Sequence, residues 1–148
     1  MGTVIVRSAA SFRCEVEAGR HQFITDEPVS AGGSDEGPTP YDLLSAALGS
    51  CTSMTLNFYA RREGIALTGV EVAVSNDRSH AKDCADCQTA SGYIHRFNVR
   101  LRFHGDLTVE QRGKLMEIAR RCPVYKTLTS EIRIDEVLED EPSAAPPP

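Results

Sequence analysis

A long run of uncharged residues near the middle of the chain predicts a buried helix. No residue between Leu43 and Tyr59 carries a charge. Around Cys51, residues suited to one buried stripe recur at helical spacing. The members of this stripe are Leu44, Ala47, Leu48, Met54, Thr55 and Phe58. We therefore expect one long helix with Cys51 halfway along it, covered by the rest of the chain.

The ends of this helix fall close to the limits of residues 38–62. Pro40 suits a first helical turn, and Gly64 is a typical stop signal after two arginines and a glutamate. Serine, threonine and asparagine side chains inside the run make it too polar to cross a bilayer. The stretch is therefore predicted to be a core helix rather than a membrane span.

Before the helix, alternating apolar and polar residues predict a meander of strands. Val4 and Val6 alternate with polar neighbours, and so do the apolar residues at positions 12–16. A turn at Gly19 and Arg20 leads into a return strand over residues 21–25. Residues 30–37, SAGGSDEG, predict a flexible loop that leads into the helix.

After the helix, the alternation predicts two further strands. One covers residues 67–75, and the clearer one covers residues 97–103, where four apolar residues face one way and polar residues the other. Between them, residues 76–92 are polar and predict an irregular loop.

The last part of the chain predicts two helices and one strand. Thr108 with Gln111 forms a capping box that opens a second helix. Pro123 interrupts that helix and suits the first turn of a new, short one. Ile132 and Ile134 predict a final strand. Together these elements predict an α+β domain with a long buried central helix.

The predicted domain covers residues 1–138, and residues 139–148 predict a disordered acidic and proline-rich tail. The net charge of −5 and the pI near 5.4 argue against nucleic acid or an anionic membrane as the partner. The chain shows no export signal, so we expect it in the cytoplasm. Five cysteines at irregular spacing favour thiol chemistry or metal binding over a disulfide framework.

Two cysteines stand apart from the others. Cys122 occupies a predicted helix N-cap, where free amides and the helix dipole stabilise a thiolate. Cys51 lies inside a helix, so a thiolate there needs a cation brought by tertiary structure. The alternative is that both are buried small apolar residues, which is a common fate of cysteine.

The loop sequence HAKDCADC carries three residues that bind metals. Cys84 and Cys87 supply two sulfurs within reach of one ion, and His80 adds a third ligand for zinc. Structural zinc usually has four ligands, so His95, His104, His21 or a partner chain would have to contribute. The same loop also fits a redox dithiol or a plain exposed loop, and all three interpretations stay open.

The chain resembles the OsmC/Ohr family of thiol-dependent peroxidases and their OsmC-like relatives. The resemblance is carried by GPTPYDLLSAALGSCTSMTL, by YARREGI and by LTVEQRGKLMEIARRCPVYKTL, and it runs over residues 20–134. It implies an OsmC-like fold that forms an intertwined homodimer. It also implies that Cys51 attacks an organic hydroperoxide and that Cys122 resolves the sulfenic acid as a disulfide. A dithiol reductant would reopen that disulfide, and no cofactor is required.

The sequence departs from the peroxidase pattern beside the reactive cysteine. Those enzymes place a glutamate ten residues before the cysteine and an arginine close to it. The glutamate position is Tyr41 here, followed by Asp42, which also suits a helix cap. We take Arg20 as the first candidate for the arginine, although a hairpin arginine is more often simply solvated. Tyr41, Asp42 and Tyr125 are the candidates for a substrate pocket, with interface packing as the alternative for the tyrosines.

Two hypotheses from different classes follow, with a third beside them. The first is an oxidative-stress redox protein that reduces organic hydroperoxides through Cys51 and Cys122. The second is a non-catalytic protein of the same fold that binds a small molecule or a metal through His80, Cys84 and Cys87. The third is an assembly module without catalysis.

Overall fold

Three short antiparallel strands form the first sheet, as the alternation predicts. The structure is a computed structural model that describes residues 2–83 and 91–138. Strand β1 (Val4–Ser8) pairs with β2 (Cys14–Ala18), which pairs with β3 (His21–Thr25). Apolar side chains on this sheet remain largely exposed in the single chain; Val6 is 57% exposed.

A buried carboxylate orders the segment between β3 and the long helix. Asp26 is only 2% exposed and accepts backbone N–H groups from Glu27, Ser34 and Glu36 at 2.8, 3.0 and 3.3 Å. A Cβ on Gly33 would overlap the carbonyl oxygen of Glu27, so the backbone passes there at close range. The predicted loop over residues 30–37 is present, and these hydrogen bonds, together with a short 3-10 helix at Val29–Ala31, define its path.

Helix α1 (Pro40–Glu63) has the ends that the sequence predicts. Thr39 and Asp42 form a reciprocal capping box at its start. Gly64 ends it in the left-handed region, with φ of 64°, where glycine is not strained.

The buried face of α1 differs from the predicted one. The fully buried residues of the helix are Leu48, Gly49, Thr52, Leu56 and Ala60. Met54 and Phe58, which belong to the predicted stripe, are each 70% exposed. Leu48 is the one member of the predicted stripe that is buried, so within a single chain the buried face of α1 is centred away from Cys51.

Strands β4 (Leu67–His80) and β5 (Tyr93–Gly105) form a two-stranded antiparallel ribbon beneath α1. The pairing runs without interruption from Val70↔Phe103 to His80↔Tyr93. β4 therefore extends to His80, into the region predicted as an irregular loop, and β5 begins directly after that region at Tyr93, earlier than predicted. Regular cross-strand hydrogen bonds stabilise these polar residues in extended conformation.

Helix α2 (Val109–Ala119) and helix α3 (Pro123–Leu128) complete the described fold. Thr108 and Gln111 form the predicted capping box of α2. The core beneath these helices consists of Leu56, Leu115, Ile118 and Ala119. No helix in the described residues is long and apolar enough to cross a membrane.

The final predicted strand is absent from residues 131–138, the last part of the chain that the structure describes. Ile132 and Ile134 are 55% and 80% exposed. Alternation alone does not make a strand, because a strand also needs a neighbouring edge to pair with. The predicted disordered tail, residues 139–148, lies outside the described residues.

Candidate functional site

Cys51 lies at the centre of α1, on the same stripe as Met54 and Phe58. The thiol is unpaired and partly exposed, and the backbone carbonyl of Cys51 accepts the Thr55 hydroxyl at 2.8 Å. Hydrogen bonds of this kind, from a side-chain hydroxyl to a backbone carbonyl one turn earlier, pair several polar side chains of α1. The hydroxyl of the buried Thr52, for example, donates to the carbonyl of Leu48. Cys51 is therefore accessible to a small molecule while the helix around it keeps its polar groups paired.

Cys122 occupies the N-cap of α3, as the sequence predicts. Its backbone is extended (φ −61°, ψ 138°), Pro123 takes the first helical position, and the side chain has no exposed surface. Its Sγ accepts the backbone N–H of Tyr125 at 3.2 Å. The proline ends one helix and begins the next, and this junction places the sulfur inside the fold.

The helices that carry the two thiols, α1 and α3, contact one another. A cavity of about 210 Å³ lies between α1, β5 and the junction of α2 with α3. Thr52, the residue after Cys51, lines it together with Ala119 and Tyr125, which are three residues either side of Cys122. Most of its wall is apolar. An apolar organic molecule can therefore lie beside the helical turns that hold both thiols.

Tyr41 and Asp42 stand at the first turn of α1 and have separate roles. Asp42 Oδ2 accepts the Thr39 hydroxyl at 2.7 Å and the Thr39 backbone N–H at 3.0 Å. These two hydrogen bonds, the hydroxyl first, hold the pKa of Asp42 below its ordinary value, against a smaller opposing effect of burial. The ring of Tyr41 stacks on His95 with centroids 5.8 Å apart.

The predicted pocket residues do not line one common cavity. Tyr41 borders a cavity of about 160 Å³ with His95, whereas Tyr125 and His95 border one of about 290 Å³. His95 therefore links the two regions. The sequence predicts a role for this histidine only as a fourth metal ligand. His95 lies two residues before Phe97 and therefore on the same face of β5, and this alternation was the signal that could have placed it in the pocket.

The candidate arginine, Arg20, is exposed at the turn between β2 and β3. The main contacts of α1 are with β4, α2 and α3, so the hairpin that carries Arg20 is not part of its principal packing. Arg13, the residue before β2, is engaged in ion pairs that the sequence does not predict. Arg13 contacts Glu36 at 2.8 Å and Glu15 at 3.0 Å, and it ties β2 to the loop before α1.

Of the three candidate metal ligands, the structure describes only His80. His80 ends β4, and its ring lies 4.2 Å from the ring of Tyr93. Cys84 and Cys87 lie outside the described residues. Within residues 2–83 and 91–138, no group of three potential metal ligands comes together.

Comparison with known proteins agrees with this architecture. The model of the family described as OsmC-like protein matches residues 33–137, well over half of the chain. No curated protein sequence matches the chain.

Solved structures share the fold. A Psychrobacter arcticus protein, described in terms of osmotic stress induction and a detoxification response, superposes with a TM-score of 0.67 at 25% identity, covering 86% of this chain and 88% of its own. An OsmC-like protein from Mycoplasma pneumoniae gives a TM-score of 0.69 at 19% identity, with 85% of each chain covered. The organic hydroperoxide resistance protein OhrB of Bacillus subtilis gives 0.56 at 22% identity, with 86% and 89% covered.

Proposed function

Because this chain belongs to the OsmC-like protein family, we propose that it is a cytoplasmic redox protein that reduces organic hydroperoxides with Cys51 and Cys122. The family and its hydroperoxide resistance proteins support a role in redox chemistry or stress response. The two-thiol mechanism for this chain is our proposal. It rests on one arrangement: a partly exposed thiol on α1, a buried thiol at the start of α3, and an apolar cavity against both helices.

The proposed reaction begins with the thiolate of Cys51. The thiolate attacks the terminal oxygen of the hydroperoxide, and the O–O bond breaks. The alkoxide takes up a proton and leaves as the alcohol. Cys51 is then a sulfenic acid. The sulfur of Cys122 attacks it, water leaves, and a Cys51–Cys122 disulfide forms. A dithiol reductant returns both thiols and is itself oxidised to a disulfide.

Disulfide formation sets a geometric requirement on the two helices. The Cα atoms of Cys51 and Cys122 must come within about 4.4–6.8 Å of each other. Contact between α1 and α3 favours such an approach. A second thiol nearby would also protect Cys51 from irreversible oxidation.

We propose that the active form is a homodimer. Met54 and Phe58 lie on the same stripe of α1 as Cys51 and are exposed in the single chain. A second copy that covers this stripe would bury these side chains and close the surroundings of the thiol. Arg20 would then supply the cation by reaching Cys51 of the partner subunit.

The test is consumption of cumene hydroperoxide in the presence of dihydrolipoamide. Cys51→Ser is expected to abolish turnover, because the serine hydroxyl does not replace the thiolate nucleophile. Cys14→Ser is the matched control, since Cys14 is a partly buried thiol on β2. Peptide mapping after one equivalent of hydroperoxide should find a Cys51–Cys122 disulfide. Undiminished turnover in Cys51→Ser would rule the proposal out.

Zinc binding by His80, Cys84 and Cys87 is a second candidate function. His80 pairs with Tyr93 and Arg78 pairs with His95, so both imidazoles project from one face of the ribbon, at the end of β4 that Cys84 and Cys87 follow in the sequence. Two histidines and two cysteines make a common structural zinc set. Elemental analysis decides between the candidates: one zinc per chain without peroxide turnover favours binding, and an active, metal-free protein eliminates it.

A further inference from the structure

Two adjoining cavities form an elongated apolar space beside α1. The cavity of about 210 Å³ and the one of about 290 Å³ share Leu48, Phe97, Val99 and Tyr125 in their walls. Together they run along β5, from the end of α2 to the stacked ring of His95. A space of this length and apolar character suits a chain-like ligand more than a compact one.

The charged groups around this space all have one sign. The two walls contain the guanidinium groups of Arg120 at one end and of Arg96 at the other, and neither wall contains a carboxylate. Such a wall favours a negative ligand, because an anion meets a cation there without facing another anion.

Arg120 is the cation best able to hold such a ligand. In the part of the chain that the structure describes, Arg120 forms no ion pair, and the carboxylate of Glu117, one turn earlier, is engaged by Lys114 at 2.8 Å. Arg96 forms no ion pair in the described residues either, but it lies directly opposite the carboxylate-bearing Asp77 on the ribbon. The guanidinium of Arg120 also stands on a regular helix end, whose backbone position is fixed by the core residues Ile118 and Ala119.

We propose that this space is a binding site for an apolar carboxylate, with its aliphatic chain along β5 and its carboxylate on Arg120. A guanidinium binds a carboxylate through two parallel hydrogen bonds, which a neutral alcohol cannot reproduce. The apolar wall contributes affinity through burial of the chain. The site needs neither thiol, so it is independent of the peroxidase proposal. A ligand that also carried a hydroperoxide would be held beside the turn of Cys51.

The test is calorimetric titration of the full, reduced chain with decanoate and with decanol. We expect decanoate to bind at least about tenfold more tightly than decanol, as expected for a charged hydrogen bond that the alcohol lacks. Arg120→Gln should remove this difference and leave decanol binding unchanged. Arg121→Gln is the matched control, since Arg121 is the adjacent arginine and is not among the lining residues.

A second variant tests the position of the aliphatic chain. Val99 lines both cavities, so Val99→Trp should fill the space and abolish binding of both ligands. Circular dichroism and the thermal midpoint show whether each variant is folded. Equal affinity for decanoate and decanol, no binding of either, or equal losses in the Arg120 and Arg121 variants would each overturn the proposal. Cys51→Ser should bind decanoate normally, which separates this site from the thiol chemistry.

Discussion

The backbone N–H of Tyr125 points at the sulfur of Cys122, 3.2 Å away, so the proposed resolving thiol is also the cap of helix α3. Consumption of this sulfur in a disulfide would change the hydrogen bond that begins the helix. The first turn of α3 also carries Tyr125, which lines the apolar cavity. The thiol state of Cys122 and the shape of the cavity are therefore linked through one short helix.

The capping role predicts a difference between two substitutions at this position. Cys122→Ser retains a side chain that accepts the Tyr125 N–H, whereas Cys122→Ala leaves that group without a partner. We expect the alanine variant to be less stable than the serine variant by about 1 kcal/mol. Urea denaturation of both proteins under reducing conditions measures this difference. Equal stability of the two variants would show that the sulfur contributes no cap.

The capping box of α1 predicts a dependence of stability on pH. Hydrogen bonds from Thr39 place the pKa of Asp42 in the folded chain below its ordinary value of 3.8, which applies to the unfolded chain. The contribution is therefore complete above pH 3.8 and is lost as pH falls through the lower folded value. Asp42→Asn should be less stable than the parent chain above that pH, and the difference should shrink in acid. Thermal melts between neutral pH and strong acid measure it; a constant difference would contradict the assignment.

Close approach of α1 to β4 predicts opposite effects of a small and a large side chain at Gly49. A Cβ there would meet Val74 Cγ2 at 3.4 Å, which is ordinary contact. Gly49→Ala should therefore gain helix propensity without overlap and raise stability by about 0.5–1 kcal/mol. Gly49→Leu should push the helix away and cost about 1–3 kcal/mol. Chemical denaturation gives both values, and destabilisation by alanine would mean that the helix lies closer to the ribbon.

Local signals in the sequence were sufficient for most of the fold. The ends of α1, the capping box at Thr108 and the N-cap at Cys122 each depend on a few neighbouring residues, and the structure has all three. The predictions that failed depend on distant contacts. The choice of buried face on α1 is set by β4 and α2, and the final strand at Ile132 needs an edge to pair with.

The candidate site also has parts that local sequence signals predict and parts that depend on distant contacts. Spacing and resemblance were enough to select Cys51 and Cys122, because each lies in a recognisable motif. The cavity that lies against both helices joins Thr52 to Arg120 and Phe97, which are far apart in the chain. No local pattern predicts such a grouping. The stacking of Tyr41 on His95 was equally invisible, since it needs the register of β5 against α1.

The buried carboxylate of Asp26 is expected to keep the loop before α1 ordered. Burial is the largest single effect on the pKa of Asp26, and it raises that pKa. The three backbone N–H groups together outweigh burial, so the pKa of Asp26 is lowered overall. Asp26→Asn keeps the shape and loses the charged acceptor. We expect a fall in Tm of about 5 °C or more and faster proteolysis of residues 27–37. Asp106→Asn, at an exposed position, is the control, and an unchanged proteolysis rate would argue against this role.

The exposed stripe on α1 predicts a homodimer that one charge can disrupt. Phe58 is 70% exposed in the single chain and lies on the same side of the helix as Cys51. If a second copy covers this side, Phe58→Glu places a carboxylate in an apolar contact, where it has no water or cation to stabilise it. We expect the dimer to weaken by more than about tenfold, seen by sedimentation velocity as a shift to monomer.

Val109→Glu is the control for this substitution, because Val109 is 89% exposed at the first turn of α2, away from the stripe. It introduces the same charge and should leave the dimer intact. The proposed reaction adds a second readout. If Arg20 of one chain serves Cys51 of the other, monomeric Phe58→Glu should lose peroxide turnover although its thiols are unchanged. A monomer with full turnover would place every group that the reaction needs within one chain, and Arg20 would have no part in it.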